Sequence, residues 1–193
     1  MARPRKFEEQ DVLQRAMELF WEKGYHGTSV QDLVQHLGIN RASLYDTFGD
    51  KHRLFLRSLI HYGASGGDQL LNLLESDFPL RQKLSSMLKT AVDNPLSIPG
   101  QRGCFILNAT CELAEQDSEV GAYTQVHLHK MIAALEKAIA HAQEQGEIRS
   151  HPDPRSLALH FYSTYTGMMM LSRSGACCDD LGRAADSALA MLD

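Results

Sequence analysis

The side chain most suited to covalent chemistry is a cysteine in the middle of the chain. Cys104 follows Arg102 and Gly103 at the predicted start of a helix. Free backbone amides and a nearby cation lower the pKa of a thiol and favour the nucleophilic thiolate. This position therefore predicts a reactive cysteine, with a small buried hydrophobe as the alternative.

The other thiols and imidazoles give weaker signals. Cys111 lies on the same predicted helix face as Cys104 but about 10 Å along the axis, so the two cannot form a disulfide. His127 and His129 are two apart on a helix and point nearly opposite ways, which argues against a shared metal ion. A thiol enzyme is an alternative, but no complete set of nucleophile, base and orienting group is identifiable. We therefore predict no catalytic residue, no metal and no cofactor.

A second group of polar side chains is suited to contact with nucleic acid. Arg41 can form two hydrogen bonds to a guanine edge, worth about 1–3 kcal/mol of discrimination, and Ser43 and Thr47 can make weaker contacts. Asp46 is an acid on the same face and would cost affinity unless it accepts a bond from a base. The outward-facing residues of this segment are Arg41, Ala42, Ser43, Tyr45, Asp46 and Thr47.

Two short helices joined by a turn must position these side chains. Thr28 and Gln31 have the spacing of a capping box, and an apolar face then recurs at helical spacing up to Leu37, where Gly38 follows. The residues of that face are Val30, Leu33, Val34 and Leu37.

The second helix is predicted from Arg41 to Phe48. Asn40 is a good N-cap, Leu44 and Phe48 face inward, and Gly49 ends the helix. Two short helices with a glycine in the turn form a helix-turn-helix, whose second helix enters the major groove of duplex DNA.

The flanking helices add support and cations. A first helix over residues 8–23 braces the pair, and Asp50 caps a further helix that begins at Lys51. Its first turn, Lys51-His52-Arg53, has the wrong sign for a helix N-terminus, which predicts a bound phosphate there. Thr28 is also expected to reach the DNA backbone.

These residues resemble the motif of the TetR family of bacterial repressors. The matching positions are Gly24-Tyr25, Thr28-Ser29-Val30, Leu37-Gly38-Ile39, Ser43-Leu44-Tyr45, Phe48 and Lys51. The resemblance implies phosphate contacts for Tyr45 and Lys51. It also implies an all-α protein of about nine helices, with a helix-turn-helix DNA-binding domain at residues 1–50 and a helical effector-binding and dimerisation domain at residues 51–193.

Charge and composition fit this expectation once position is considered. The chain has 193 residues, 44% of them hydrophobic, and a net charge of -5. Residues 1–60 carry nine basic and eight acidic side chains, whereas the remainder carries ten and sixteen. The start, including a basic arm at residues 1–7, has no signal peptide, and no apolar run is long enough to span a membrane. We expect a cytoplasmic protein with reduced thiols and no membrane partner.

The second half of the chain is predicted to be entirely helical. Helices are expected over residues 80–92, 104–115, 118–145, 154–172 and 179–192. Before them, Gly63 and Gly66-Gly67 either give the preceding helix freedom to swing or mark a plain break between two helices.

The last two of these helices are predicted to form a homodimer. Small residues allow close packing, namely Ala158, Ser163 and Gly167 on one helix and Ala184, Ala185, Ala188 and Ala190 on the other. In the resembled family this pair forms a four-helix interface, and the alternative is packing within one monomer. A twofold dimer implies a near-palindromic operator with recognition helices about 34–36 Å apart.

An effector site is expected in the same half of the chain. The Gly-Cys pair at 103–104 resembles the AcrR/NemR-like branch, some of whose members respond to oxidants or electrophiles through a cysteine and others to small metabolites. The residues proposed to line a pocket beside Cys104 and Cys111 are Phe105, Asn108, Met131, Tyr162, Tyr165 and Met168. The alternatives are that these residues are core alone, and that the protein binds DNA without any effector.

Overall fold

The computed structural model describes residues 8–93 and 102–193, and it is all-α within those ranges. The basic arm and the predicted loop at Asn94–Gly100 lie outside the described residues. The ten α-helices are α1 (Glu9–Lys23), α2 (Val30–Leu37), α3 (Arg41–Phe48), α4 (Lys51–Tyr62), α5 (Asp68–Glu75), α6 (Leu80–Asp93), α7 (Phe105–Leu113), α8 (Ser118–Glu144), α9 (Pro154–Arg173) and α10 (Cys178–Leu189). A short 3-10 turn, Ala190–Leu192, follows.

The ends of the first helices follow from local signals. Gly24 and Gly38, at φ +76° and +67°, follow α1 and α2, and Asn40 accepts a hydrogen bond from the Ser43 amide at the start of α3. The predicted bounds of α3 and the predicted end of α2 are confirmed, whereas α1 and α2 each begin one residue later than predicted. The predicted capping box is displaced by one residue. Ser29, not Thr28, caps α2, with Asp32 as the reciprocal partner.

The glycines after α4 form a π-helical turn, and no loop separates α4 from α5. Gly63–Gly67 forms that turn and leads directly into α5. Gly63 is buried because the hydroxyl of Tyr123 on α8 occupies the place where a side chain would begin. Counting α4, the turn and α5 as one interrupted helix gives the nine helices expected for the described ranges.

Two clusters of buried side chains hold the chain together. The head cluster joins α1–α4 to α7 and the first turn of α8, and includes Phe20, Leu44, Phe55 and Phe105. The ligand-domain cluster joins α5, α6 and α8–α10. A division after residue 50 does not separate these clusters, because α4 and α7 supply much of the head cluster. We call residues 8–62 the head and the described residues from Gly63 onward the ligand domain.

The ends of the later helices also agree with the local signals. Asp153 accepts a hydrogen bond from the Ser156 amide, and Pro154 occupies the first turn of α9. Asp117 caps α8 through the amides of Glu119 and Val120. Within the described ranges, no helix is long and apolar enough to cross a membrane.

Candidate nucleic-acid interface

The recognition helix α3 packs against α2 through buried apolar side chains, and one arginine of α1 bonds to the end of α2. Leu33 and Leu44 are fully buried, as is most of Phe48. The guanidinium of Arg15 donates to the carbonyl of Leu37 at 3.0 Å and to that of His36. A cation on the last carbonyls of a helix completes its unpaired hydrogen bonds and complements its dipole. Arg15 therefore ties the end of α2 to α1.

The outer face of α3 presents polar side chains as predicted. Arg41, Ala42 and Tyr45 are exposed, and Ser43 and Thr47 are half-buried. Arg41 Nη2 lies 3.4 Å from the hydroxyl of Tyr45, and its guanidinium carbon is 5.7 Å from the ring centre. The two side chains lie one helical turn apart and hold each other in place by this contact. Both are on the face of α3 from which a side chain can reach a groove of DNA. Their DNA contacts remain predictions.

Thr28 does not present a group to DNA in this structure. Its side chain is fully buried, and its hydroxyl donates to the carbonyl of Gly24 at 2.6 Å. The predicted phosphate contact of Thr28 is therefore corrected. The hydroxyl instead fixes the turn between α1 and α2.

Lys51 lies on an aromatic platform at the start of α4. Its ammonium is 4.2 Å from the ring centre of Tyr25. Partial burial lowers the pKa of Lys51, and the nearby carboxylates of Glu112 and Asp32 oppose that shift. A cation over a ring at this distance is held in place without losing its hydrogen-bond donors. Lys51 can therefore offer those donors to a phosphate.

His52 is not part of the phosphate site predicted at the start of α4. Its Nε2 lies 2.5 Å from Asp117 Oδ2 and its Nδ1 lies 3.6 Å from Glu119, both at the start of α8. Burial would raise the pKa of Asp117, but hydrogen bonds from the Val120 amide and His52 outweigh it and the pKa is lowered. His52 therefore ties the head to the ligand domain, while Arg53 stays exposed.

Cys104 lies where the two clusters meet, as the residue before α7. It packs against both the head cluster and the ligand-domain cluster. The hydroxyl of Tyr62, at the end of α4, hydrogen-bonds to the thiol. Tyr162 and Tyr165 of α9 are close enough for the charge of a thiolate to raise their pKa values, after the larger effect of burial.

The sequence predicted that the helix N-terminus lowers the pKa of the Cys104 thiol, and this prediction is wrong in direction. Burial raises the pKa of Cys104, although the amides of Leu107 and Ile106 and the Tyr62 hydroxyl oppose the shift. Loss of hydration therefore outweighs the helix amides. Arg102 does not help, because its guanidinium faces Glu22 at 3.7 Å and lies over the ring of Trp21.

The other predicted pocket residues divide between core and surface. Phe105, Met131 and Met168 are each 1% exposed, and Phe105 belongs to a different cluster from the two methionines. The side chain of Asn108 donates to the carbonyl of Arg102 at 2.8 Å. Cys111 is exposed, so it does not share the environment of Cys104. In this conformation the three buried residues are core.

A cavity that the sequence did not predict lies at the far end of α8. It has a volume of about 760 Å³ between the end of α5, the start of α6 and α8. Lys83 in its wall is 7% exposed and donates to the carbonyl of Leu74, which completes the C-terminus of α5. Among the described residues, no three histidine, cysteine or acidic side chains are grouped to hold a metal.

Sequence reasoning also missed two residues that connect the regions described above. Tyr62 contacts Cys104, and Glu112 of α7 accepts hydrogen bonds from the amides of Tyr25 and His26. Tyr62 carried only an apolar-face signal, and Glu112 resembles any exposed helix acid. Tyr62 and Cys104 are 42 positions apart, and Glu112 is 86 or more positions from its partners, so local spacing held no signal for these contacts.

Comparison with known proteins agrees with this architecture. The family model "Bacterial regulatory proteins, tetR family" matches residues 12–57, and "Tetracyclin repressor-like, C-terminal domain" matches residues 81–187. The chain is 32% identical to the HTH-type transcriptional regulator YezE of Bacillus subtilis (strain 168), covering 100% of both chains. It is 30% identical to the HTH-type transcriptional repressor ComR of Escherichia coli (strain K12), covering 97% of this chain and 90% of ComR.

Solved structures show the same fold. A cysteine-substituted form of the TetR family regulator CifR, in complex with 26-bp double-strand operator DNA, has a TM-score of 0.87 at 25% identity and covers 100% of both chains. The reduced form of NemR from E. coli has a TM-score of 0.83 at 17% identity and covers 93% of both. These relatives are transcriptional regulators and not enzymes. The chain therefore belongs to the TetR family and is a DNA-binding transcriptional regulator.

Proposed function

We propose that the protein represses transcription by binding a near-palindromic operator as a homodimer, and that an effector or modification of Cys104 releases it. The observation that carries the DNA-binding part is the donor-rich outer face of α3, set beside Lys51 on its Tyr25 platform. The operator complex of CifR and the naming of ComR as a repressor support the same role.

Exposed apolar side chains support dimerisation through α9 and α10. Leu159, Met170 and Leu171 on α9 are 43%, 41% and 52% exposed, and Met191 beyond α10 is 47% exposed. Contiguous apolar surface on a monomer commonly marks an interface. Of the small residues predicted to pack there, Ser163 and Gly167 are exposed, whereas Ala158, Ala185 and Ala188 are buried within the monomer. The last three therefore pack inside the chain and not between protomers.

Leu171→Asp tests this interface. A carboxylate in the centre of an apolar contact should shift the protein toward monomer in light scattering, because it would be desolvated without a partner. Val126→Asp is the matched control, since Val126 is 66% exposed on the outer side of α8. Dissociation by both variants or by neither would contradict the assignment.

The position of Cys104 supports release through its thiol. A group added to a side chain that touches both clusters cannot be accommodated without moving α7 or the end of α4. The solved CifR structure carries substituted cysteines, and the solved NemR structure is that of a reduced form. Thiol chemistry is therefore the first to test. A small metabolite that binds near the same tyrosines is the alternative effector.

Titration of a fluorescent duplex from the promoter beside the gene tests the whole proposal. Binding should be specific at low salt, and hydrogen peroxide or N-ethylmaleimide should weaken it, with mass spectrometry locating the modification at Cys104. Cys104→Ser should bind and stay bound, whereas the control Cys111→Ser should behave as wild type. No specific binding at low salt would refute the repressor. Binding that oxidants, electrophiles and metabolites leave unchanged would favour an effector-independent DNA-binding protein.

A further inference from the structure

Glu112 links the ligand domain to the head through a charged contact. It lies in the last turn of α7 and is half-buried. Its Oε2 accepts a hydrogen bond from the Tyr25 amide at 3.0 Å, and its Oε1 accepts one from the His26 amide at 2.8 Å. Hydrogen bonds to an ionised carboxylate are about twice as strong as neutral ones. One side chain thus holds two backbone amides of the turn between α1 and α2, those of Tyr25 and His26.

The turn is shaped to receive this carboxylate. Gly24 has φ +76°, and a Cβ at this position would lie 2.8 Å from Glu112 Oε2. A side chain at residue 24 would therefore both strain the backbone and displace Glu112. On the other side, the Thr28 hydroxyl bonds to the Gly24 carbonyl. The turn is fixed from within the head by Thr28 and from the ligand domain by Glu112.

The same turn carries the platform of the phosphate-contact candidate. The backbone of Tyr25 is bonded to Glu112, and its ring lies beneath the ammonium of Lys51. The Tyr25 ring also packs edge-on against Phe55, with centroids 5.1 Å apart, so it has little freedom of its own. A shift of the turn would therefore move Lys51 relative to the recognition helix.

We propose that Glu112 is a positioning residue for operator binding, which sets the place of Lys51 through the turn at Tyr25. Glu112 need not touch DNA, since it acts through backbone amides of the head. The inference rests on the proposed operator binding. It also assigns α7 a direct connection to the turn after α1, in addition to its packing on α4. Cys104 precedes the first residue of this helix, about 12 Å from Glu112 along its axis.

The test compares Glu112→Gln with Glu115→Gln in titrations of the fluorescent promoter duplex at several salt concentrations. Glu115 is an exposed acid on the turn after α7, so its variant reports the effect of charge alone. Loss of an acid strengthens DNA binding by charge, whereas loss of positioning weakens it. We expect Glu112→Gln to bind about tenfold more weakly than Glu115→Gln, because glutamine keeps one of the two acceptors.

The salt dependence tests whether Glu112 acts through Lys51. Because a misplaced Lys51 loses its phosphate contact, Glu112→Gln should reduce the slope of log K against log salt by up to about one, whereas Glu115→Gln should leave it unchanged. Hydrogen exchange should accelerate at the amides of Tyr25 and His26. Affinities are calculated per folded protein from urea unfolding of each variant. If Glu112→Gln does not fold, Glu112→Asp keeps the charge but is too short for both amides, and the same weakening is expected.

The outcomes distinguish failure of the proposed function from failure of the proposed role of Glu112. A wild-type protein that does not bind the promoter refutes the proposed function and this inference with it. If wild type binds, and Glu112→Gln binds as tightly as Glu115→Gln while its amides exchange faster, the positioning role is refuted and the proposed function stands. Weaker binding by Glu112→Gln with an unchanged salt slope would also overturn the proposed action through Lys51.

Discussion

Phe55 is the side chain whose truncation should damage the protein most. It is fully buried at the centre of the head cluster. Its ring meets Phe20 and Tyr25 at centroid distances of 5.1 Å and Phe105 at 5.6 Å, each near the edge-to-face arrangement. Phe105 belongs to α7, so these contacts join the head to the helix that follows Cys104 and carries Glu112.

Phe55→Ala should lower the free energy of unfolding by about 3–5 kcal/mol, the range for phenylalanine truncation in a core. Phe55→Leu retains most of the apolar volume and loses the three ring contacts. Each contact is worth about 0.5–1.5 kcal/mol, so we expect a loss of about 1.5–4.5 kcal/mol. At about 2–4 °C per kcal/mol for a chain of this length, Phe55→Ala should lower Tm by about 6–20 °C.

Urea unfolding at one fixed protein concentration measures both values, since the proposed dimer would make stability depend on concentration. The fluorescence of Trp21, which packs against Tyr62 in the head, should change together with far-UV circular dichroism. Ile60→Ala is the control, because Ile60 is 51% exposed on the same helix, and it should cost under about 1 kcal/mol. A loss for Phe55→Ala no greater than that of Ile60→Ala would refute this description of the cluster.

Three further predictions concern charge. Lys51→Ala should weaken binding to all duplexes alike and reduce the salt slope by about one, and an unchanged slope would remove Lys51 from the phosphate contacts. Hydrogen bonds from the Ser29 hydroxyl and amide, with help from Lys23, lower the pKa of Asp32 to about 2. Because that pKa lies below the ordinary 3.8, the stability from Asp32 is present above that value and is lost as pH falls toward 2. The difference in urea midpoint between wild type and Asp32→Asn should therefore shrink on acidification, and a constant difference would contradict this. Alkylation of Cys104 by iodoacetamide should titrate above the ordinary thiol value of 9.0, and Tyr62→Phe should raise the pKa further by removing a bond to the thiolate. A titration below that of free cysteine would show that burial does not dominate.

The helix-turn-helix is the part that could be predicted almost residue by residue. Asn40, Gly38 and Gly49 define helix ends through hydrogen bonds or backbone angles within four positions of each residue. The error at Thr28 has the same local origin. Thr28 and Ser29 are both good caps, and the choice between them depends on the bond of Thr28 to Gly24 and on its complete burial.

The sequence by itself determined the helices, their order and the outward face of α3, because these depend on side-chain period and on caps. Only the tertiary structure decided how the head is joined to the ligand domain. His52 meets Asp117 across 65 positions, and the Tyr25 amide meets Glu112 across 87. The raised pKa of Cys104 has the same origin, since desolvation depends on which distant helices cover the thiol.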